Sequence, residues 1–326
     1  MFRTLSLVAL LGLLAVPAAA QVCGTEDLIA DLDPDLRARL DEMVAPHPYP
    51  TGTLFRAERG EDTVVVVGTI HIPDPRLAPI VDAVRPHVED ADLLILEATA
   101  EDEVAMQRLA TEQPEMFFIT EGPTLIDLLS EAEWDQITER LNAVGIPAFF
   151  AAKFQPWYLS MTLAIPPCAM TLLQSGQKGM DRQLEEIANE RGIPLATLDD
   201  TEALLRIFAD EPLEKQLDGL RITLETQENG DAATSTLIEG YFDGRVRETW
   251  EFARIQLEQS EFPDAGALFE EINQTLLIDR NADWETKLPE LLEGKDAVIA
   301  VGGAHLSGED GVLRALERMG YEVSAF

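Results

Sequence analysis

Two runs of apolar residues without a polar interruption, Val64–Val67 and Leu93–Leu96, are too short for helices. They fit strands buried on both faces of a sheet. Thr53–Ala57 precedes the first run across the turn-like Arg59-Gly60-Glu61-Asp62 and reads as a partner strand. Between the two runs, a stretch from about Pro75 to His87 carries apolar residues at helical spacing. Strand, helix and strand in such close succession make a βαβ unit, so the sheet is at least partly parallel. Ala297–Val301 is a third buried run, followed by a helical pattern over Ser307–Met319 and a short strand near Tyr321–Ser324. A brief sheet-like stretch, Pro194–Leu198, follows a helix opened by Gly179-Met180-Asp181.

The remaining chain has the helical period. Leu125, Leu128, Leu129, Ile137 and Leu141 share one face until Gly145-Ile146-Pro147 stops the run. A further apolar helix is expected to carry Phe149, Phe150, Phe154, Trp157, Tyr158 and Met161 into a core. Residues 24–50 form an acidic lead-in with one short helix around Leu36–Met43. The expectation is one α/β domain over residues 21–326, with a mixed, mostly parallel central sheet flanked by helices. Its strands come from about 50–100, 179–200 and 295–326, and large helical insertions occupy about 101–178 and 201–292.

The N-terminal segment leads us to expect export of this domain. Met1-Phe2-Arg3, the apolar run Leu5–Val16 and the small residues Pro17-Ala18-Ala19-Ala20 form a signal peptide over residues 1–20. No later apolar stretch is long enough to span a bilayer. The expected location is therefore exported and periplasmic. In that compartment the only two cysteines, Cys23 and Cys168, default to a disulfide, with a catalytic thiol as the rival reading. An apolar fraction of 46% with 26% charged residues describes a folded protein rather than a disordered one. The net charge of −36 repels DNA, RNA and anionic lipid.

The candidate chemistry lies in two matching turns. Val64–Val67 runs into Gly68-Thr69-Ile70-His71, and Val298–Val301 runs into Gly302-Gly303-Ala304-His305. Asp74 with Pro75, and Ser307 with Asp310, are the expected caps of the helices that follow. Parallel strands end on one edge of a sheet, where α/β proteins bind ligands. The strand Leu93–Leu96 delivers Glu97 to the same edge. His71, Glu97 and His305 can form a facial metal site, or Glu97 can be a general base while the histidines position substrate. The bland alternative is a pair of buried histidines that only complete two strand-to-loop bends. Gly68 and Gly302 would let the backbone approach a ligand closely. His47 and His87 read as surface or capping residues. No Gly-x-Ser-x-Gly elbow, Walker loop, His-Glu-x-x-His motif or dinucleotide fingerprint is present.

At these residues the chain resembles the TraB/GumN (TraB/PrgY/GumN) family, related to the Tiki metalloproteases and to erythromycin-esterase-like and ChaN-like proteins. The matching segments are Gly68–His71, Leu94–Glu97, Lys178–Asp181, Arg280-Asn281 and Val301–Gly308. The chain departs from the family pattern in its long acidic insertions and in carrying Asp at position 181. The resemblance implies an EreA/ChaN-like fold and, from the Tiki branch, metal-dependent hydrolysis of peptide or other amide bonds, with Mn, Co or Zn. It implies His71, Glu97 and His305 as active-site and metal residues, and Arg280 as the cation that meets a substrate carboxylate or oxyanion. Asn281 and Asp181 become substrate-side polar groups. A haem- or metal-binding protein of ChaN-like fold, or an interaction protein with a vestigial site, is the alternative. The expected partner is a peptide or small-molecule substrate.

Overall fold

The computed structural model describes residues 23–226, 230–260, 262 and 264–326. The proposed signal peptide, residues 1–20, lies outside them. The strands are β1 (Leu54–Arg59), β2 (Asp62–Thr69), β3 (Leu93–Leu96), β4 (Leu195–Thr197), β5 (Ala297–Gly302) and β6 (Glu322–Ala325). They form one sheet in the order β4-β3-β5-β2-β1-β6. The pairs β2/β5, β5/β3 and β3/β4 are parallel, and β1 pairs antiparallel with both β2 and β6. The fold is α/β, with a mixed, mostly parallel sheet flanked by helices.

The apolar strands are buried because alternate side chains serve two separate cores. Val65, Val67, Leu94, Leu96, Val298 and Ala300 point to one face, against the helices Leu77–Asp90 and Met180–Arg191. Val64, Val66, Leu93, Ile95, Ile299 and Val301 point to the other, against Asp279–Leu292 and Val312–Arg318. Central β5 registers Val298 beside both Val65 and Leu94, so the three strands end together at one edge. Among the described residues, no helix is long and apolar enough to cross a membrane.

Cys23 and Cys168 are bonded, closing a sequence separation of 145 residues. Cys23 belongs to the first core, which also holds Ile70, Met180 and Tyr241. The bond therefore ties the start of the described chain to Pro167–Gln174, the helix just before the turn that opens Met180–Arg191.

Several local expectations are corrected. The helix after His71 begins at Leu77, not Pro75, because Asp74 turns its carboxylate onto the Arg76 backbone N–H (2.8 Å) and guanidinium. The final helix begins at Val312, with Gly311 rather than Ser307 at its N-cap. Ser307 is not free to cap, since Arg247 donates to both its Oγ and its carbonyl, each at 2.7 Å. The expected aromatic helix is broken into Ala148–Ala151 and Pro156–Ala164. Pro156 disfavours helical backbone at Gln155 and itself starts the second piece. Trp157 is buried, but Phe149 and Phe150 are exposed and stack on each other.

Leu94 is fully buried in the central strands. Leu94→Ala is expected to lower the unfolding free energy by about 2–5 kcal/mol, read as a reduced denaturant midpoint with an unchanged slope.

Candidate active site

Parallel pairing alone brings four strand ends to one edge. β2 leads to His71, β3 to Glu97 and β5 to His305. β4 leads to Asp199, and the ladder continues past both strands as Leu198 N–H to Leu96 O (2.9 Å) and Asp199 N–H to Glu97 O (3.1 Å). Two carboxylates thus leave neighbouring strands side by side.

The cation between them is Arg280, near the start of Asp279–Leu292. The preceding turn, Gln274–Ile278, is π-helical, a local widening common at functional sites. Arg280 Nη2 donates to Glu97 Oε2 and to Asp199 Oδ2, the latter at 2.5 Å. Its Nε donates to Asp199 Oδ1 at 3.3 Å. Its Nη1 donates to Leu276 O at 3.2 Å and meets His305 Nε2 at 3.1 Å. A guanidinium has five N–H groups, and all five are engaged. Arg280 therefore braces the site from within and has no N–H left for a substrate carboxylate in this arrangement.

The neighbours of His305 determine its tautomer. Its Nδ1 lies 2.7 Å from Asn281 Oδ1, while Asn281 Nδ2 donates to His305 O at 3.4 Å. Nδ1 carries the proton, and Nε2 accepts from Arg280. The ring lies against Trp284, with centroids 4.4 Å apart. Burial pushes the His305 pKa well down, and the adjacent Arg280 acts in the same direction, so the ring is neutral at pH 7. Burial opposes charge on Glu97, but the Arg280 guanidinium, the His71 imidazolium and the Gly302 N–H outweigh it. Glu97 is held ionised, below the ordinary carboxylate range.

His71 differs from His305 in being open, its side chain 66% exposed. Its Nδ1 donates to Asp181 Oδ1 at 3.0 Å. That hydrogen bond, with the charges of Asp181 and Glu97 adding to it, raises the pKa to about 9. At neutral pH His71 is an imidazolium hydrogen-bonded to the Asp181 side chain. Asp181 reaches it because Gly179 lies against the His71 backbone, where any Cβ would collide with the carbonyl group. Met180 N–H then bonds Ile70 O at 3.0 Å.

Gly302 has a similar steric reason: a Cβ would sit 3.1 Å from Glu97 Oε1, which accepts the Gly302 N–H at 2.5 Å. Gly68 lies under the turn, where a Cβ would meet Gly303 Cα at 3.0 Å. These glycines allow the two turns and Glu97 to approach one another.

The sequence reading missed Asp199 and Trp284. Asp199 follows β4 as Glu97 follows β3, but β4 is only three partly buried residues, a weaker signal than the three apolar runs. Trp284 is one turn after Arg280 on the same helix face, a relation that spacing alone does not distinguish from core packing. Outside the cleft, His47 is partly exposed 3.3 Å from Glu251, and His87 packs edge-on to Phe326.

Among the described residues, no group of three or more His, Cys, Asp and Glu side chains is arranged to hold a metal ion. The single lone pair of His305 Nε2 faces Arg280, and Glu97 faces both Arg280 and Gly302. These donors do not fit a shared metal while the guanidinium stands between them.

The TraB/PrgY/gumN family pattern matches residues 53–325, nearly the whole chain. The chain belongs to that family. No curated protein matches it.

The His71–Asp181 pair generates a pH signature. Because the folded pKa is raised, its stabilising contribution is complete below the ordinary histidine value of 6.5 and is lost as pH rises through about 9. Solvent at the open ring damps its size. Asp181→Asn is expected to move the His71 titration, followed by NMR, down toward the ordinary value; an unmoved titration refutes the pairing.

Proposed function

We propose that this TraB/PrgY/gumN family member is an exported hydrolase of peptide or other amide bonds, working at the edge where β2, β3, β4 and β5 end. The observation that supports it best is the convergence there of an open imidazolium, His71, with an ionised carboxylate, Glu97, held by a part-buried cation. Structural histidines at two bends require no such electrostatic arrangement.

In the proposed reaction, water attacks the amide carbon and the C–N bond breaks. Glu97 takes the water proton through lone pairs that Arg280 and Gly302 leave free. His71 gives its proton to the departing amine. The proton on Glu97 then returns to His71 through solvent, restoring both groups. His305 stays neutral and keeps Arg280 in place. A divalent ion, Mn, Co or Zn, held by His71, Glu97 and His305 is the other form of the proposal. It requires Arg280 to withdraw first, so no step is drawn through it. The charge of −36 favours neutral or basic substrates.

Two measurements test this reading. A peptide mixture incubated with chelated protein, and with protein supplied with Mn, Co or Zn, is expected to yield cleavage products. Glu97→Gln should lower their rate by about 10²–10⁴-fold, and equal rates for wild type and variant sink the proposal. For export, N-terminal sequencing of protein recovered from the periplasmic fraction is expected to start at Gln21, and a retained Met1 contradicts the leader.

A further inference from the structure

The carboxylate that fixes Arg280 is Asp199. Its side chain is 8% exposed and accepts three hydrogen bonds from two residues. Oδ2 takes Arg280 Nη2, and Oδ1 takes both Arg280 Nε and the Trp284 indole N–H, the last at 2.8 Å. The two contacts to Arg280 fix both the plane of the guanidinium and its distance from the strand end. Trp284 lies one turn further along the helix, with its ring centroid 4.9 Å from the Arg280 guanidinium carbon.

The backbone leaves Asp199 little freedom. Leu198 is fully buried, and Asp200 caps the next helix by accepting Ala203 N–H at 3.0 Å. Asp199 is the one residue between these anchors, and its own N–H is bonded to Glu97 O.

We propose that Asp199, oriented by the Trp284 indole, is a positioning residue of this site, setting the Arg280 guanidinium so that one Nη2 and one Nη1 hydrogen hold Glu97 and the His305 lone pair. Arg280 has two ends. The Nε/Nη2 edge is gripped by Asp199, one Nη1 hydrogen goes to Leu276 O, and the other Nη1 and Nη2 hydrogens reach His305 and Glu97. With the grip removed, the guanidinium rotates about its own side chain, and Glu97 and His305 lose a common partner. The inference rests on the reading of this edge as a hydrolytic site, but the placement of Arg280 can be measured without any substrate.

Asp199→Asn is the informative substitution. It keeps the shape and one acceptor oxygen but turns an amide N–H toward Arg280 Nη2, setting donor against donor. In nitrogen-15 NMR spectra, the Arg280 Nε–H of the wild type is expected to exchange slowly with solvent. In Asp199→Asn its exchange is expected to be about tenfold faster or more, with a shifted His305 Nε2 signal. Lys287→Met is the control, because Lys287 donates to Leu198 O at the same strand end without touching Arg280. If the control moves the Arg280 signal as far as Asp199→Asn does, Asp199 is only structural and the proposal fails. Should Asp199→Asn not fold, Trp284→Phe removes the indole N–H on Asp199, and an unchanged Arg280 signal there also overturns the proposal. On any peptide cleaved by the wild type, kcat is expected to fall about 10²-fold with little change in KM. Wild-type kcat in Asp199→Asn overturns the positioning role. A wild type that cleaves nothing, with Arg280 responding as expected, sinks the hydrolase reading while supporting the placement.

Discussion

Glu97 and Asp199 leave adjacent parallel strands side by side, and carboxylates brought so close repel each other unless a cation lies between them. Arg280 resolves that repulsion by bonding both. The rest of the edge depends on this solution. The guanidinium also takes the lone pair of His305, whose other nitrogen is claimed by Asn281 from the next position on the same helix. Through Trp284 the helix Asp279–Leu292 packs into the second core, so the cation is mounted on a buried element. An Arg can make five directed bonds at once, which a Lys ammonium cannot, and the site uses all five.

The two histidines of the matching turns have opposite electrostatic fates. His305 is enclosed, faces a cation and is neutral. His71 is open, faces a carboxylate and is charged. Their turns look alike in sequence, Gly-x-x-His after a buried strand, yet one histidine braces the site and the other meets solvent. The difference comes from what packs against each: a helix carrying Arg280 on one side of the sheet, and a helix carrying Asp181 on the other. The disulfide acts on the second side. Cys168 holds the helix just before the turn at Gly179, the residue whose missing Cβ lets Asp181 reach His71.

The acidity of the chain acts at two scales. Over the whole chain the net charge is −36. Within the edge, three carboxylates meet two specific cations, Asp181 with His71 and both Glu97 and Asp199 with Arg280. The same residue type is therefore solvation outside and architecture inside, and only neighbours distinguish the two.

Strand positions were legible from the sequence because β-structure buried on both faces leaves a short run with no polar residue. Val64–Val67, Leu93–Leu96 and Ala297–Val301 all lie in strands of the central sheet. Parallel connection then placed His71, Glu97 and His305 on one edge without further information. Helix starts were less legible: Asp74 and Ser307 look like caps, but Arg76 and Arg247 take them, and a side-chain competitor from elsewhere in the chain has no local signature. The same is true of the site's electrostatics. Arg280 is far from Glu97 and Asp199 in sequence, and its spacing does not say that its five N–H groups are already used. By itself the sequence determined the strands, their shared edge and the acids and bases delivered there, because burial and periodicity are local properties. The tertiary structure decided which histidine is charged, which carboxylate grips the arginine and which lone pairs remain free, because each depends on the distance between groups that only folding brings together.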